Sequence, residues 1–283
     1  MKIFDGRKES KKILEKLKIK IKKKNLKPHM AVFLIGDNKA SEMYVDLKAR
    51  RAKEIGVKFS RYTYGKNADE NEVIQKIGEL NEDAGVNGMI VQMPLPAGFN
   101  TEKIISSMSP AKDIDGFHKK NTDVLKNAGK IKVSPVLPGV ILYALKTAWK
   151  GKPKKGKIKA LVNSRLFGDT LKAFFSVHGI PLEFFVAKNV SVKKIREFVK
   201  DADVLISVLG KKGIITGDML KRDVILIDVG ITKEHNNVYG DFEFESCAKK
   251  ASFITPVPGG IGPMTIALLL QNVVSLTSQG IEV

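Results

Sequence analysis

The chain has a single cysteine, Cys247, and a single tryptophan, Trp149, in 283 residues. One thiol excludes an internal disulfide and any cysteine-based metal site, and it fits a reducing cytoplasm. The four histidines show no ligand spacing around His118, so no metal is expected and His118 reads as a surface residue. No run approaches the length of a membrane span, and the start Met1-Lys-Ile-Phe-Asp-Gly6 lacks the apolar core of a signal peptide. Arginine is also scarce, at seven of the 49 basic residues. That shortage matters because a net charge of +19 would otherwise suggest nucleic acid. Base and phosphate recognition favours arginine. The lysine-dense stretches 11–24 and 150–159 also lack the interleaved aromatics that single-strand binding uses. The expectation is a cytoplasmic protein with neither nucleic acid nor membrane as partner, whose basic exterior steers acidic small substrates. A basic nucleic-acid-binding α/β protein is the distant alternative, and it requires steep salt dependence.

What is present is a soluble-type composition, 43% hydrophobic and 28% charged, on a chain long enough for two lobes. The first ~120 residues alternate helix and strand patterns at βα spacing. A basic amphipathic helix is expected over 7–24 with Ile13, Leu14, Leu17 and Ile21 on its apolar stripe. Strands follow at 31–35, 57–64 and 88–92, with helices at 40–55 and 71–84 between them. Pro94 and Pro96 then end the third strand. The stretch 110–138 reads as loose and 140–149 as helical, and the lysine-glycine segment 150–157 reads as exposed. A second series places strands at 158–162, 182–186, 203–207 and 224–228, with helices at 169–178, 191–200 and 217–221. The fold class is α/β and two-lobed: an N-terminal α/β lobe and a Rossmann-like doubly wound nucleotide lobe. An apolar helix over 265–276 packs back on the N-terminal lobe. The expected division is 1–119 with 264–283 in one domain and 120–263 in the other.

Four segments carry candidate chemistry. In Ser41-Glu-Met-Tyr44-Val-Asp-Leu-Lys48 a helix stacks Ser41, Tyr44 and Lys48 on one face at the end of a buried strand. A lysine there exchanges protons near neutrality if burial lowers its pKa; a solvated lysine on an ordinary amphipathic helix is the rival reading. Gln92 ends an apolar strand and needs a partner, for which Lys48 is suitable; an edge-strand glutamine in water is the alternative. In Lys112-Asp-Ile-Asp115-Gly-Phe117, Asp113 reads as a turn former bonded to its own backbone, and Asp115 as an acceptor for an amino-heterocycle. Pro256-Val-Pro-Gly-Gly-Ile-Gly-Pro-Met-Thr265 is a stiff loop whose glycines allow close approach of a flat ligand, or a plain linker. The turn after strand 158–162, Asn163-Ser-Arg-Leu-Phe-Gly168, has one glycine where a dinucleotide binder shows G-x-G-x-x-G. Gly168 could still open a helix towards phosphate.

Ser41-x-x-Tyr44-Val-x-x-Lys48, Val91-Gln-Met-Pro-Leu-Pro96, Lys112-Asp-Ile-Asp115-Gly-Phe117, Ile227-Asp-Val-Gly-Ile231 and Pro256 to Thr265 occur in the right order for one family. Together they resemble the bifunctional methylenetetrahydrofolate dehydrogenase/cyclohydrolase (FolD) family over nearly the whole chain. The resemblance implies oxidation of methylenetetrahydrofolate with NADP and hydrolysis of the methenyl product to formyltetrahydrofolate. It makes Lys48 the acid/base group, Gln92 its orienter, Tyr44 a stacking platform and Asp115 the pterin holder. The folate pocket would add Ser41, Val91, Met93, Pro258, Gly259, Gly260, Gly262 and Thr265. The cofactor would meet Asn163, Ser164, Arg165, Gly168, Gly210 and Ile231. The family's Gly-Arg-Ser-x-x-Val-Gly-x-Pro turn is altered here, its first glycine and its proline gone. A cyclohydrolase with weakened, NAD-shifted or lost dehydrogenase activity is therefore the second reading. An amino-acid-type dehydrogenase shares the two-lobed layout but does not require Tyr44 and Lys48 as a pair. A homodimer is implied by the resemblance alone.

Overall fold

The computed structural model describes residues 1–127, 129, 133–150, 156–235 and 237–279. The chain divides into two compact units. One comprises Lys11–Val124, Lys130–Val136 and Ile266–Val283; the other comprises Met1–Ser10, Leu125–Gly129 and Leu137–Thr265.

A short strand β1 (Lys2–Ile3) precedes the basic helix α1 (Gly6–Lys23), whose Leu14, Leu17 and Ile21 are buried. Strand β2 (His29–Ile35) is buried along its whole length, as the central strand of a parallel sheet requires. Helix α2 (Lys39–Ile55) begins where the Asn38 side chain accepts a hydrogen bond from Ser41 N, and it stops at Gly56, where φ is +86°. Strand β3 (Lys58–Tyr64), helix α3 (Glu70–Glu82) and strand β4 (Gly88–Val91) complete two βα units. The sheet runs β3-β2-β4, parallel throughout. Helices α4 (Thr101–Ser107) and α5 (Lys119–Lys126) follow, then α6 (Val136–Ala148). The stretch 110–138, expected to be loose, thus contains α5 and the first turn of α6. Pro138 sits in that first turn, where a missing N–H costs nothing.

The second unit carries β5 (Ile158–Val162), α7 (Arg165–Ser176), β6 (Glu183–Val186), α8 (Val192–Val199), β7 (Val204–Val208) and β8 (Val224–Asp228). A hairpin of β9 (Thr232–Glu234) and β10 (Asn237–Tyr239), then α9 (Phe244–Ala248) and β11 (Ala251–Ile254), lead to α10 (Ile261–Gln279). The six-stranded sheet has the order β1-β11-β8-β7-β5-β6, all parallel. Met1–Ser10 groups with this sheet rather than with the N-terminal lobe because Lys2 and Ile3 pair with Phe253 and Ile254.

Three further expectations are corrected. Helix α7 starts at Arg165 rather than 169, because the Ser164 side chain accepts from Phe167 N and caps it earlier. Helix α10 starts at Ile261, so Gly262 and Thr265 lie in its first turns and not in a loop. Its stretch Ile261–Ser278 is long and apolar enough to span a membrane by length and composition, with mean hydropathy 1.4, although 56% of it is buried in the fold. His118 is buried, not on the surface, and its Nδ1 accepts from Lys120 N. Most of the segment expected to be exposed at 150–157 lies outside the described residues.

Candidate active site

The three-stranded unit gathers its polar side chains at the carboxyl ends of β2 and β4. Gly36 makes the turn out of β2 at φ +88°, and a Cβ there would stand 2.7 Å from Pro96 Cγ, so the turn needs glycine. Helix α2 then presents Ser41, Tyr44 and Lys48 inward at i, i+3 and i+7. Ser41 and Lys48 are buried, and Tyr44 is half-buried.

Lys48 Nζ donates to Gln92 Oε1 at 2.7 Å and lies 5.0 Å from the centre of the Tyr44 ring. Gln92 follows Val91 out of β4, yet its N–H still bonds Phe33 O at 2.8 Å, so the ladder holds its backbone. Its Nε2 donates to Met93 O at 2.7 Å, which turns Oε1 towards the lysine. Ser41 Oγ donates to the same Met93 carbonyl at 3.5 Å. The Gln92–Lys48 pairing thus replaces the solvated readings of both residues.

Asp115 arrives from a separate segment. Residues 112–114 run beside β4, with Met89 N bonding Lys112 O at 2.7 Å and Ile114 N bonding Met89 O at 3.3 Å. Asp113 then makes the turn: its carboxylate accepts from the backbone N–H of Asp115, Gly116 and His118 and from Asn121 Nδ2. Gly116 has φ +82°, and a Cβ would meet Pro135 Cα at 2.6 Å. Burial pushes Asp115 up to about 6, opposed by the Lys48 charge and reinforced by Asp113. Burial likewise pushes Lys48 down to about 8, opposed by Asp115. At neutral pH the carboxylate is ionised, and roughly a tenth of the amine is neutral. Such a lysine can both give and take a proton.

In the six-stranded unit Asn163, Ser164 and Arg165 are exposed after β5. Arg165 pairs with Asp169 at 3.4 Å and lies 5.5 Å from the Phe184 ring centre. Gly168 is buried one turn into α7, and a Cβ there would stand 2.4 Å from the Phe184 ring. It serves close helix–sheet packing and does not open the helix towards phosphate. Gly210 has φ +69°, and a Cβ on it would lie 3.5 Å from Ile231 O, which brings these two together. Pro258, Gly259 and Gly260 precede α10. A Cβ on Gly6 would overlap Gly260 O, so the start of α1 abuts that loop. Among the described residues no group of three or more His, Cys, Asp or Glu could hold a metal ion.

Two family models match the chain: the tetrahydrofolate dehydrogenase/cyclohydrolase catalytic domain over residues 4–115 and the NAD(P)-binding domain of the same family over 141–280. The chain is 36% identical to the bifunctional protein FolD of Nitratiruptor sp. over 99% of both chains. It is 35% identical to that of Methanosarcina barkeri over 96% of this chain and 94% of the other. The crystal structure of the bifunctional methylenetetrahydrofolate dehydrogenase/cyclohydrolase from Campylobacter jejuni superimposes with a TM-score of 0.91 at 34% identity, covering 99% of this chain and 100% of that one. The chain belongs to the tetrahydrofolate dehydrogenase/cyclohydrolase family. The family's catalytic-domain match ends at Asp115, the last residue of the Lys48 group.

In this member of the tetrahydrofolate dehydrogenase/cyclohydrolase family one residue that supports the candidate site was missed in the sequence. Asn272 Nδ2 donates to Ile114 O at 2.9 Å and Ser134 O at 2.8 Å, which ties the Asp115 turn to α10. The signal was available: an amide on the apolar stripe of such a helix must find acceptors.

Proposed function

We propose that the chain oxidises methylenetetrahydrofolate to the methenyl cation with a nicotinamide dinucleotide and hydrolyses that cation to formyltetrahydrofolate. The observation that carries this reading is the buried Lys48 amine, held at 2.7 Å by Gln92, beside the Tyr44 ring and opposed by Asp115. The relatives' names, as bifunctional dehydrogenase/cyclohydrolases, agree with it.

In the proposed chemistry Tyr44 offers its ring face to the flat donor and Asp115 accepts from the amino-pterin. Water adds to the methenyl carbon and loses a proton to the neutral Lys48 amine. The carbon–nitrogen bond then breaks as Lys48 returns the proton to the departing nitrogen and the carbinol hydroxyl gives its own proton to water, which leaves the formyl group. Gln92 keeps Nζ directed inward throughout. Val91, Met93 and Ser41 shape the same wall; Pro258, Gly259, Gly260, Gly262 and Thr265 are carried by the resemblance as folate contacts. Lys48→Met or Lys48→Ala is expected to abolish methenyl hydrolysis, followed as loss of methenyl absorbance; a near-native rate refutes the assignment.

The residues present fit a dinucleotide. The carboxyl ends of β5 and β7 carry exposed Asn163, Ser164 and Arg165 and the open Gly210. Strand β6 ends in Val186-Ala187-Lys188, with an exposed lysine where an NAD binder commonly sets an acid for the ribose hydroxyl. That lysine, with the exposed Arg165 at the start of α7, favours NADP over NAD. Bound there, the nicotinamide supplies the acceptor for the hydride leaving the methylene bridge. The second reading, a cyclohydrolase with weakened, NAD-shifted or lost dehydrogenase activity, is favoured by the single buried glycine of the phosphate turn. Titration of each nucleotide against Trp149 fluorescence, with a coupled methylenetetrahydrofolate assay, separates the two.

A cytoplasmic homodimer without nucleic-acid or membrane partners completes the reading. Edge strand β6, with Phe184 and Phe185 half-buried, offers an open ladder for pairing. Sedimentation equilibrium at micromolar protein, where a monomer is the contrary result, tests the dimer.

A further inference from the structure

Two buried carboxylates of the six-stranded unit have no part in the chemistry above. Asp228 ends β8 and Asp241 follows β10; they are 3% and 0% exposed. Asp228 accepts the backbone N–H of Gly230 at 3.0 Å, Asp241 at 3.1 Å and Phe242 at 3.0 Å. Asp241 accepts the Ser207 hydroxyl at 2.6 Å and the N–H of Leu209 and Lys211, each at 2.7 Å. The glycines of this region make room for them. A Cβ on Gly230 would stand 2.0 Å from Asp241 Oδ1, and one on Gly240 would stand 2.0 Å from Asp228 Oδ2.

The pair meets only donors, so carboxylates suit it and an amide does not: an Asn would turn its NH2 towards another N–H or hydroxyl donor. Two neighbouring carboxylates out of water repel, and a turn needs no such arrangement to close. What the arrangement does achieve is geometric. Leu209 and Lys211, the two clamped amides, flank Gly210, held at φ +69°. Asp228 fixes Gly230, next to Ile231, whose side chain is 58% exposed and whose carbonyl faces Gly210. Both segments leave the carboxyl ends of parallel strands, where ligands of open α/β sheets bind.

We propose that Asp241, supported by Asp228, is the positioning residue of the nicotinamide-nucleotide site, holding the Gly210 loop and the Ile231 turn at the spacing the nucleotide requires. The proposal rests on the reading of this unit as a dinucleotide site. Asp241→Asn and Ser207→Ala are compared with the native chain in isothermal titration with NADP and with NAD, in hydrogen–deuterium exchange, and in dehydrogenase kinetics. The native chain binds a nucleotide. Asp241→Asn weakens that binding by about tenfold or more, since buried N–H groups lose their acceptors. Exchange quickens at Leu209 and Lys211, and the KM for the nucleotide rises while that for the folate stays within about twofold. Ser207→Ala, which removes one donor and keeps the carboxylate, gives a smaller weakening in the same direction.

Native-like nucleotide affinity in Asp241→Asn overturns the proposal while leaving the dinucleotide reading intact. Loss of the circular dichroism spectrum in Asp241→Asn together with native affinity in Ser207→Ala marks the pair as a folding element and overturns it as well. A native chain that binds neither nucleotide removes the dinucleotide reading first, and the positioning role with it.

Discussion

Lys48 and Asp115 restrain each other's titration, so changing one should move the other in a direction set by charge. The Asp115 carboxylate raises Lys48, against the larger downward push of burial. Asp115→Asn removes the raising influence, and the amine-dependent limb of the hydrolysis pH profile, expected near 8 in the native chain, should move to lower pH. A limb that stays or moves up in that variant contradicts the geometry. The two groups are coupled, so the profile reports the pair and not isolated residues. Gln92→Leu should act in the same sense, because Oε1, 2.7 Å from Nζ, holds the charged ammonium more strongly than the neutral amine. The sequence alone placed Ser41, Tyr44 and Lys48 on one helix face; it left open whether the face was wet. That depended on Gln92 and Asp115, 44 and 67 positions further on.

Glycines show at the scale of the element why local pattern runs out. Gly78 in α3 and Gly168 in α7 look alike in the sequence, each a glycine inside an amphipathic helix. A Cβ at Gly78 meets nothing within 4 Å, whereas one at Gly168 meets the Phe184 ring at 2.4 Å. Gly78→Ala is therefore expected to stabilise by ~0.5–1 kcal/mol through helix propensity. Gly168→Ala should destabilise by ~1–3 kcal/mol, because overpacking exceeds the same propensity gain. Urea midpoints of the two variants check both signs. The early starts of α7 and α6 have similar origins. Ser164 capped a helix expected four residues later, and Pro138 read as a loop residue although a first helical turn tolerates it. The two-residue β1 escaped notice because too few side chains alternate to show a period; it is defined only by its pairing with β11.

For the molecule as a whole, the site should weaken stability where function needs it. Lys48 has a folded pKa lowered to about 8 from 10.5. Below about 8 the buried ammonium therefore costs stability, and the cost fades as pH rises from 8 towards 10.5, where the unfolded chain also loses its proton. Lys48→Met removes that cost but leaves the buried Asp115 carboxylate without its counter-charge. The variant's stability relative to the native chain should therefore fall between pH 7 and pH 10. Denaturant midpoints at the two pH values check it. The carboxyls act oppositely: Asp115 and Asp228, pushed up to about 6 and about 7, hold their protons more tightly when folded. The stability they confer is full below the unfolded value of 3.8 and is lost as pH rises through about 6 and about 7.

The sequence by itself determined the α/β class, the two series of strands and helices, the family and the candidate for the proton-transfer group. Those properties reside in periodicity and in short motifs whose members lie within one turn or one strand. Only the tertiary structure decided that Lys48 is dry, that Asp113 serves the turn while Asp115 faces the lysine, that Gly168 packs and does not cradle, and that Asp228 and Asp241 clamp three loops. The physical reason is common to all four. Desolvation, Coulomb coupling and steric room depend on which distant segments fill the space around a group, and no local pattern encodes that.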